Sequence, residues 1–183
     1  HTLASGHSYS SMTEMVHEAK AKGLKLLGMV EHDVGIPGTC DPIYFKNFHV
    51  VPRKFDGLDI ILGIEINIID HSGKLSIDED LYKYVDYCVA GIHFHCYTPG
   101  TIEQNTHAVI EAIKNPHISV IVHPDDGYCP LDYKQVVLAA KKYHTLLEIN
   151  NNALRSSSRL NSRENVITML ELCKLHQVKI ILG

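Results

Sequence analysis

The chain alternates between short, continuous apolar runs and stretches with helical periodicity. Runs rich in Ile, Val and Leu, with little polar alternation, are typical of strands buried on both faces of a sheet. Six such runs predict strands at Leu24 to Val30, Ile60 to Ile69, Tyr87 to Phe94, Ile118 to Val122, Thr145 to Asn150 and Val178 to Leu182. Helical periodicity predicts helices at Thr13 to Lys22, Thr101 to Lys114, Tyr133 to Tyr143 and Ser162 to His176. The alternation predicts an α/β fold with parallel strands and right-handed crossovers.

Local signals support two of the helix starts. Ser11 and Glu14 have the spacing of a capping box, and Asp132 is a good N-cap for the third helix. The segment from Val34 to Leu58 is instead rich in proline and glycine. It predicts a long, partly irregular connection, which is either a functional loop or a structural insertion.

Several predicted strands end in a residue that can bind a metal ion or a polar ligand. These residues are Glu31, His32, Glu65, His93, His123 and Asn150. In a β/α barrel the carboxyl ends of the strands meet at one mouth, which is where the active site is built. The pattern therefore predicts a metal-dependent enzyme.

Composition narrows the class of protein. The chain has 183 residues, of which 45% are hydrophobic, so one globular domain spanning residues 1–183 is expected. Its net charge of −4, without a basic stripe, gives no sign of a nucleic-acid partner. Apolar runs shorter than about 18 residues and the absence of a signal segment favour a cytoplasmic protein without a membrane partner. The five cysteines include no C-x-x-C pair and are predicted to be reduced thiols.

The carboxylate of Glu65 lies inside an apolar run from Ile60 to Ile66. Burying an ionised carboxylate is costly unless a cation or a hydrogen-bond donor compensates its charge. A metal ion is the favoured compensation, and a salt bridge to Lys or Arg is the alternative. Imidazole and carboxylate ligands together suit zinc, and also manganese or iron.

Histidines lie at the ends of two predicted strands. His93 and His95 are two residues apart, so both would point to the same face of an extended strand, although only one need be a ligand. His123 precedes Pro124, and this position predicts an extended histidine at the end of its strand. His123 alone would be interpreted as a capping residue, and only the wider set of strand-end residues favours a ligand.

Together these motifs resemble those of the polymerase-and-histidinol-phosphatase (PHP) family, and especially its small bacterial phosphatases. The resemblance rests on His1-Thr2, Gly6-His7-Ser8, Glu31-His32-Asp33, Gly63-Ile64-Glu65-Ile66-Asn67, Ala90-Gly91-Ile92-His93, Val122-His123-Pro124 and Leu147-Glu148-Ile149-Asn150-Asn151. The motifs occur in order across nearly the whole chain. The resemblance implies a distorted (β/α)7 barrel, a site for three metal ions and phosphoester hydrolysis.

The resemblance also implies a ligand set. Glu65, His93 and His123 would hold one ion, and Glu65 would bridge to a second ion. His1 would bind that second ion, and His7 and His32 would hold a third.

The family's first motif survives only in His1, and its last motif would begin where the chain stops at Gly183. The chain is therefore expected to be a fragment, incomplete at the first and last strands of the barrel. Three family ligands would be absent. The fragment as given is therefore expected to keep only part of the metal site and to be unstable or inactive.

Candidates for the remaining roles lie close to the ligands. Arg159 is the predicted phosphate-binding arginine, with Asn150 and Asn151 beside it, and solvated loop cations are the alternative interpretation, favoured for Arg155 and Arg163. Asp33 and His95 are unranked candidates for the acid that protonates the leaving group. The consecutive aspartates Asp125 and Asp126 would repel a phosphate unless a metal ion or an arginine offsets their charge.

Three functional hypotheses follow. The leading one is hydrolysis of a small phosphorylated metabolite by metal-activated water, with up to three divalent ions, zinc being favoured over manganese and iron. The second is a nuclease or phosphodiesterase of the same family. The third is a degenerate metal-binding module without catalysis. A homo-oligomer is compatible with the first hypothesis.

Overall fold

The computed structural model describes residues 1–154 and 159–183. Its helices are α1 (Met12–Ala21), α2 (Ile43–Lys46), α3 (Ile102–Lys114), α4 (Tyr133–Tyr143) and α5 (Ser162–His176). Its strands are β1 (Leu26–His32), β2 (Lys54–Phe55), β3 (Leu58–Ile68), β4 (Tyr87–Ile92), β5 (Ile118–Ile121), β6 (Leu146–Ile149) and β7 (Ile180–Leu182). All six predicted strands and all four predicted helices are present. None of the described helices is long and apolar enough to cross a membrane.

The chain forms two compact units. The first comprises His1–Ile66 and Ser76–Cys88, and the second comprises Asn67–Leu75 and Val89–Gly183. Strands β3 and β4 each contribute residues to both units.

In the first unit β1 pairs with β3 in parallel, and β2 pairs with β3 in antiparallel orientation. The β1–β3 register places His32, the last residue of β1, directly opposite Glu65, which lies three residues before the end of β3. Strand β3 contributes much of the core of this unit. Its fully buried side chains include Leu58, Leu62, Ile64 and Ile66.

The connection between β1 and β3 is partly irregular, which confirms the prediction made from its prolines and glycines. It contains α2, a 3-10 helix (Asn47–Val50) and β2. Phe45 and Phe48 are buried and pack edge to face. Arg53 donates to the carbonyl oxygens of Phe48 and Val51 and pairs with Asp86. Local aromatic packing and these hydrogen bonds therefore order the connection.

In the second unit β5, β6 and β7 pair in parallel. Helix α4 packs against both α3 and α5. The buried residues of α3 and α4 are mostly small or branched. They include Ala108, Ala112, Val136, Val137 and Ala140.

The predicted helix caps are present. Ser11 and Glu14 form a complete capping box at α1, and the side chain of Asp132 accepts from the backbone N–H of Gln135 at α4. Thr101 and Gln104 form a second capping box at α3, which the sequence analysis missed although the residues have the required spacing.

None of the five cysteines forms a disulfide in the structure, and they differ in accessibility. Burial, with a smaller contribution from nearby acidic groups, raises the pKa of both Cys88 and Cys129 to about 12.

Because the thiolate is the reactive form, Cys88 and Cys129 should both react slowly with a disulfide reagent at pH 8. The half-buried Cys96 should react at least tenfold faster, and all five thiols should react rapidly in urea. Rapid labelling of Cys129 in the folded protein, mapped by mass spectrometry, would contradict this prediction.

Candidate metal centre

Three imidazoles converge in the first unit. Residues 1–7 fold back through a short 3-10 helix (Leu3–Ser5) that ends at Gly6, whose φ of 74° suits glycine. The turn brings His1 and His7 to the end of β1. The ring centroid of His32 lies 4.3 Å from that of His1 and 4.9 Å from that of His7. One potential ligand nitrogen from each of the three rings lies within 4.8 Å of the others.

Glu65 completes this cluster. It is only 3% exposed, and its Oε2 lies 3.0 Å from Nε2 of His1. Its Oε1 lies 3.8 Å from Nδ1 of His32. Burial is the largest single cause and lowers the pKa of His1, but the hydrogen bond and charge of Glu65, together with the charge of Glu31 and a hydrogen bond to the backbone of Val30, raise the net pKa. The carboxylate of Glu65 therefore favours a positive charge beside it, which is supplied either by a protonated His1 ring or by a metal ion.

The donor set of the first unit fits a divalent first-row ion. Imidazole nitrogens and carboxylate oxygens are the ligands that zinc, manganese and iron share. A divalent ion would also compensate the buried charge of Glu65, as the sequence analysis expected. His1, His7, His32 and Glu65 are four of the six predicted ligands, and the fold brings these four together.

The other two predicted ligands meet in the second unit. His93 follows β4 and His123 follows β5, and their Nε2 atoms are 3.2 Å apart. Two nitrogens that bind one tetrahedral zinc ion, each about 2.0–2.1 Å from the metal, would be separated by about 3.3 Å. The pair therefore has the spacing of two imidazoles that share an ion.

His123 is not extended, so that part of the sequence analysis was wrong. Its φ is 35°, in the left-handed region, which costs about 1–3 kcal/mol for a residue other than glycine. Its backbone N–H donates to Oε2 of Glu148 at 2.7 Å, and Glu148 is itself buried on β6. This hydrogen bond overrides the conformational bias that Pro124 imposes.

The prediction that His93 and His95 share a face was also wrong. Strand β4 ends at Ile92, and the backbone turns after it, with Cys96 and Tyr97 both donating to the carbonyl oxygen of His93. His95 lies in this turn and is exposed. The alternation of a strand does not apply there, so only His93 has the predicted position.

Asp33, the other candidate acid, is buried. Its Oδ2 accepts from the hydroxyl of Ser76 at 2.6 Å, and its Oδ1 has no hydrogen-bond partner among the described residues. Burial is the main cause that raises the pKa of Asp33, against the hydrogen bond from Ser76. The role of Asp33, like that of His95, stays a prediction.

The predicted phosphate-binding arginine contacts an aspartate. Nη1 of Arg159 lies 3.4 Å from Oδ1 of Asp125, whose side chain is completely buried. The guanidinium therefore offsets the charge of Asp125, as the sequence analysis required of an arginine or a metal ion. Arg163 is exposed, as expected of a solvated cation, and the prediction for Arg155 lies outside the described residues.

The two predicted asparagines make hydrogen bonds within the chain. Nδ2 of Asn150 lies 3.4 Å from Oε1 of Glu148, and its Oδ1 accepts from the backbone N–H of Asn152. The backbone N–H of Asn151 donates to the carbonyl oxygen of Gly183, and its side chain is exposed. Substrate binding by Asn150 and Asn151 stays a prediction.

Glu31 has a structural role that the sequence analysis missed. Its carboxylate is 2% exposed and accepts from the backbone N–H and the hydroxyl of Thr2 and from the hydroxyl of Ser5. These hydrogen bonds tie the segment that carries His1 and His7 to the end of β1. The signal was present in the sequence, because Glu31, like Glu65, is a carboxylate at the end of an apolar run.

Comparison with known proteins identifies the family. The PHP domain model matches residues 1–169, so the chain belongs to the PHP domain family. A protein of Caldicellulosiruptor bescii named as a probable phosphatase is 44% identical over the whole chain, which covers 75% of that protein. A probable phosphatase of Clostridium novyi is 41% identical, with 75% of it covered.

A solved structure shows the same fold. The histidinol phosphate phosphatase HisK of Lactococcus lactis, complexed with zinc, L-histidinol and phosphate, matches the whole chain with a TM-score of 0.70 and 19% identity. The match covers 82% of that enzyme. This likeness confirms the predicted α/β fold class of the PHP type.

Replacing Glu31 by glutamine should destabilise the first unit. The N–H of Thr2 contacts both oxygens of Glu31, at 3.1 and 3.0 Å. In either orientation of the glutamine amide, its NH2 group would therefore face the N–H of Thr2, and neither group can accept a hydrogen bond. The expected loss is about 1–3 kcal/mol in the free energy of urea unfolding. Glu14→Gln, an exposed control, should cost less. Equal losses in the two variants would contradict the anchoring role.

Replacing Gly91 by alanine should impair the histidine pair. A Cβ atom at this position would lie 2.7 Å from Cγ2 of Val122 and 2.9 Å from Cε1 of His123, so the ring must move. Zinc affinity should fall about tenfold or more, measured by competition with a chromophoric chelator. Gly28→Ala is the matched control, because its Cβ would crowd the hydroxyl of Tyr87 and no predicted ligand. Unchanged zinc affinity in Gly91→Ala would refute this role.

Proposed function

We propose that this chain is a metal-dependent phosphatase domain that hydrolyses small phosphomonoesters. The observation that carries the proposal is the convergence of His1, His7 and His32 on the buried carboxylate of Glu65. The matching spacing of His93 and His123, and relatives named as probable phosphatases, support it. The HisK structure, with bound zinc and phosphate, supports the same class of reaction.

The proposed ligands are the six residues predicted from the sequence. Four lie in the first unit and two in the second: His1, His7, His32, Glu65, His93 and His123. Zinc is the proposed ion, with manganese or iron as substitutes that the same ligands accept. A cytoplasmic location, a single domain and self-association remain predictions of the sequence.

Different residues would bind the metal ions, bind the phosphate and donate a proton to the leaving group. Divalent ions, when bound, make hydroxide available near neutral pH and stabilise the charge that develops on the phosphoryl oxygens. The imidazoles and Glu65 fix the position of these ions. Arg159 provides a planar guanidinium suited to phosphate oxygens, and Asp125 restrains it through a part-buried ion pair. Asp33 and His95 remain the candidates for donating a proton to the leaving group.

Replacing Glu65 by alanine tests the proposal. This variant should lose bound metal, measured by elemental analysis after purification without chelator. Its hydrolysis of p-nitrophenyl phosphate should fall at least about 100-fold, because several kcal/mol of charge stabilisation depend on the ion. His107→Ala, which removes an exposed imidazole on α3, is the control and should keep both properties.

Two results would redirect the proposal. Hydrolysis of bis-p-nitrophenyl phosphate without hydrolysis of the monoester would favour the phosphodiesterase hypothesis. Zinc binding without hydrolysis of either ester would favour the non-catalytic module. Equal metal content in the parent chain and Glu65→Ala would overturn the proposed site in the first unit.

A further inference from the structure

Two aromatic side chains are exposed beside the histidine pair of the second unit. Phe94 directly follows the predicted ligand His93, and Tyr128 lies in the loop that follows His123. Each of the two aromatic residues is 56% exposed, although their ring centroids lie only 5.8 Å apart and the ring planes meet at 83°. Large apolar side chains that stay exposed and in contact with each other form a surface suited to an apolar ligand.

Hydrogen bonds fix the loop that carries Tyr128. Oδ1 of Asp126 accepts from the backbone N–H of Tyr128 at 3.1 Å and from that of Leu160 at 3.3 Å. The backbone N–H of Gly127 donates to the carbonyl oxygen of Leu160 at 2.7 Å. A Cβ atom at position 127 would lie 2.6 Å from that oxygen, so only glycine allows the two loops to come this close. The ring of Tyr128 is therefore presented by a fixed backbone.

The same two loops carry the predicted phosphate-binding arginine. Arg159 directly precedes Leu160, and its Nη1 lies 3.4 Å from Oδ1 of Asp125. On the other side, Nδ2 of Asn165 on α5 donates to the backbone carbonyl oxygen of Asp125 at 2.8 Å. The guanidinium and the ring of Tyr128 are thus held by one hydrogen-bonded scaffold. A ligand that uses both needs a phosphate group joined to an apolar group.

Phe94 and His123 line the same small cavity. Its other walls include the apolar side chains of Ile92, Cys129 and Leu131. The cavity has a volume of about 30 Å³, which suits a water molecule or a methyl group but not a larger leaving group. A leaving group would therefore lie against the exposed rings rather than inside the cavity.

We propose that Phe94 and Tyr128 bind the leaving group of the substrate and make the enzyme selective for phosphomonoesters of apolar, ring-bearing alcohols. The inference rests on the proposed phosphatase function and names its class of substrate. Edge-to-face and offset contacts between aromatic rings strengthen binding by about twofold to tenfold each. A polyol leaving group would instead lose water from its hydroxyls without gaining hydrogen bonds from the ring faces.

Two esters of similar reactivity test the selectivity. Benzyl phosphate and glycerol 2-phosphate both release an alkyl alcohol, and only the first carries an apolar ring. For the zinc-loaded protein, kcat/KM should be at least about tenfold higher for benzyl phosphate. Equal values, or a preference for glycerol 2-phosphate, would overturn the proposal and leave the phosphatase function intact.

Replacing each ring separates binding of the leaving group from chemistry. In Phe94→Ala and in Tyr128→Ala, KM for benzyl phosphate should rise about threefold to tenfold with kcat unchanged, because the lost contact exists in both the ground state and the transition state. Tyr128→Phe keeps the ring and should keep the preference. Glycerol 2-phosphate is the internal control, because a general disturbance of the site would lower kcat/KM for both esters, and an equal loss for both would refute the role of the rings.

Tyr143→Ala is the matched control variant. It removes a partly exposed ring at the end of α4, where the ring contacts Lys142. Neither ester should be affected. A loss of the benzyl preference in Tyr143→Ala, of the size seen in Tyr128→Ala, would contradict the assignment to Phe94 and Tyr128.

Binding without turnover separates this proposal from the proposed function. Calorimetry should show that phenylphosphonate, which has no ester bond to hydrolyse, binds about tenfold more tightly than methylphosphonate. The variant that carries both Phe94→Ala and Tyr128→Ala should bind the two phosphonates equally. A protein with this binding preference that hydrolyses neither ester would refute the phosphatase function and keep the apolar subsite. Hydrolysis of both esters, with equal binding of the two phosphonates, would refute only the subsite.

Discussion

A carboxylate buried among apolar side chains must be compensated, and the first unit holds two of them on adjacent strands. Glu31 ends the apolar run of β1, and Glu65 lies in the apolar run of β3. Leaving either one without donors or a cation would cost several kcal/mol. The arrangement of residues 1–7 follows from this requirement, because those residues supply most of the compensation.

The two carboxylates are compensated in different ways. The difference gives Glu31 a structural role and Glu65 a role in attracting a cation. Glu31 receives hydrogen bonds from Thr2 and Ser5, which are neutral donors, so its interactions are complete within the chain. Glu65 faces the imidazole of His1, which can exchange a proton for a metal ion. One carboxylate therefore anchors the segment, and the other gives the cluster its affinity for cations.

In the second unit, a strained backbone conformation helps to orient the predicted ligand His123. His123 adopts a positive φ that a strand-ending residue before proline would avoid. The buried carboxylate of Glu148 holds its backbone N–H, and the missing side chain of Gly91 leaves space for its ring. These two features direct Nε2 of His123 toward His93. Strain of this kind is commonly found where a structure orients a functional group.

The sequence by itself determined the elements and the fold class, because apolar periodicity and capping residues are local signals. It also indicated that Glu65 needs a cation, since burial follows from the neighbouring residues. It could not show that Glu31 anchors residues 1–7, that β4 ends before His95, or that His123 has a positive φ. Those features depend on hydrogen bonds between residues that are distant in the chain, such as Thr2 with Glu31 and His123 with Glu148, and only the tertiary structure brings these partners together.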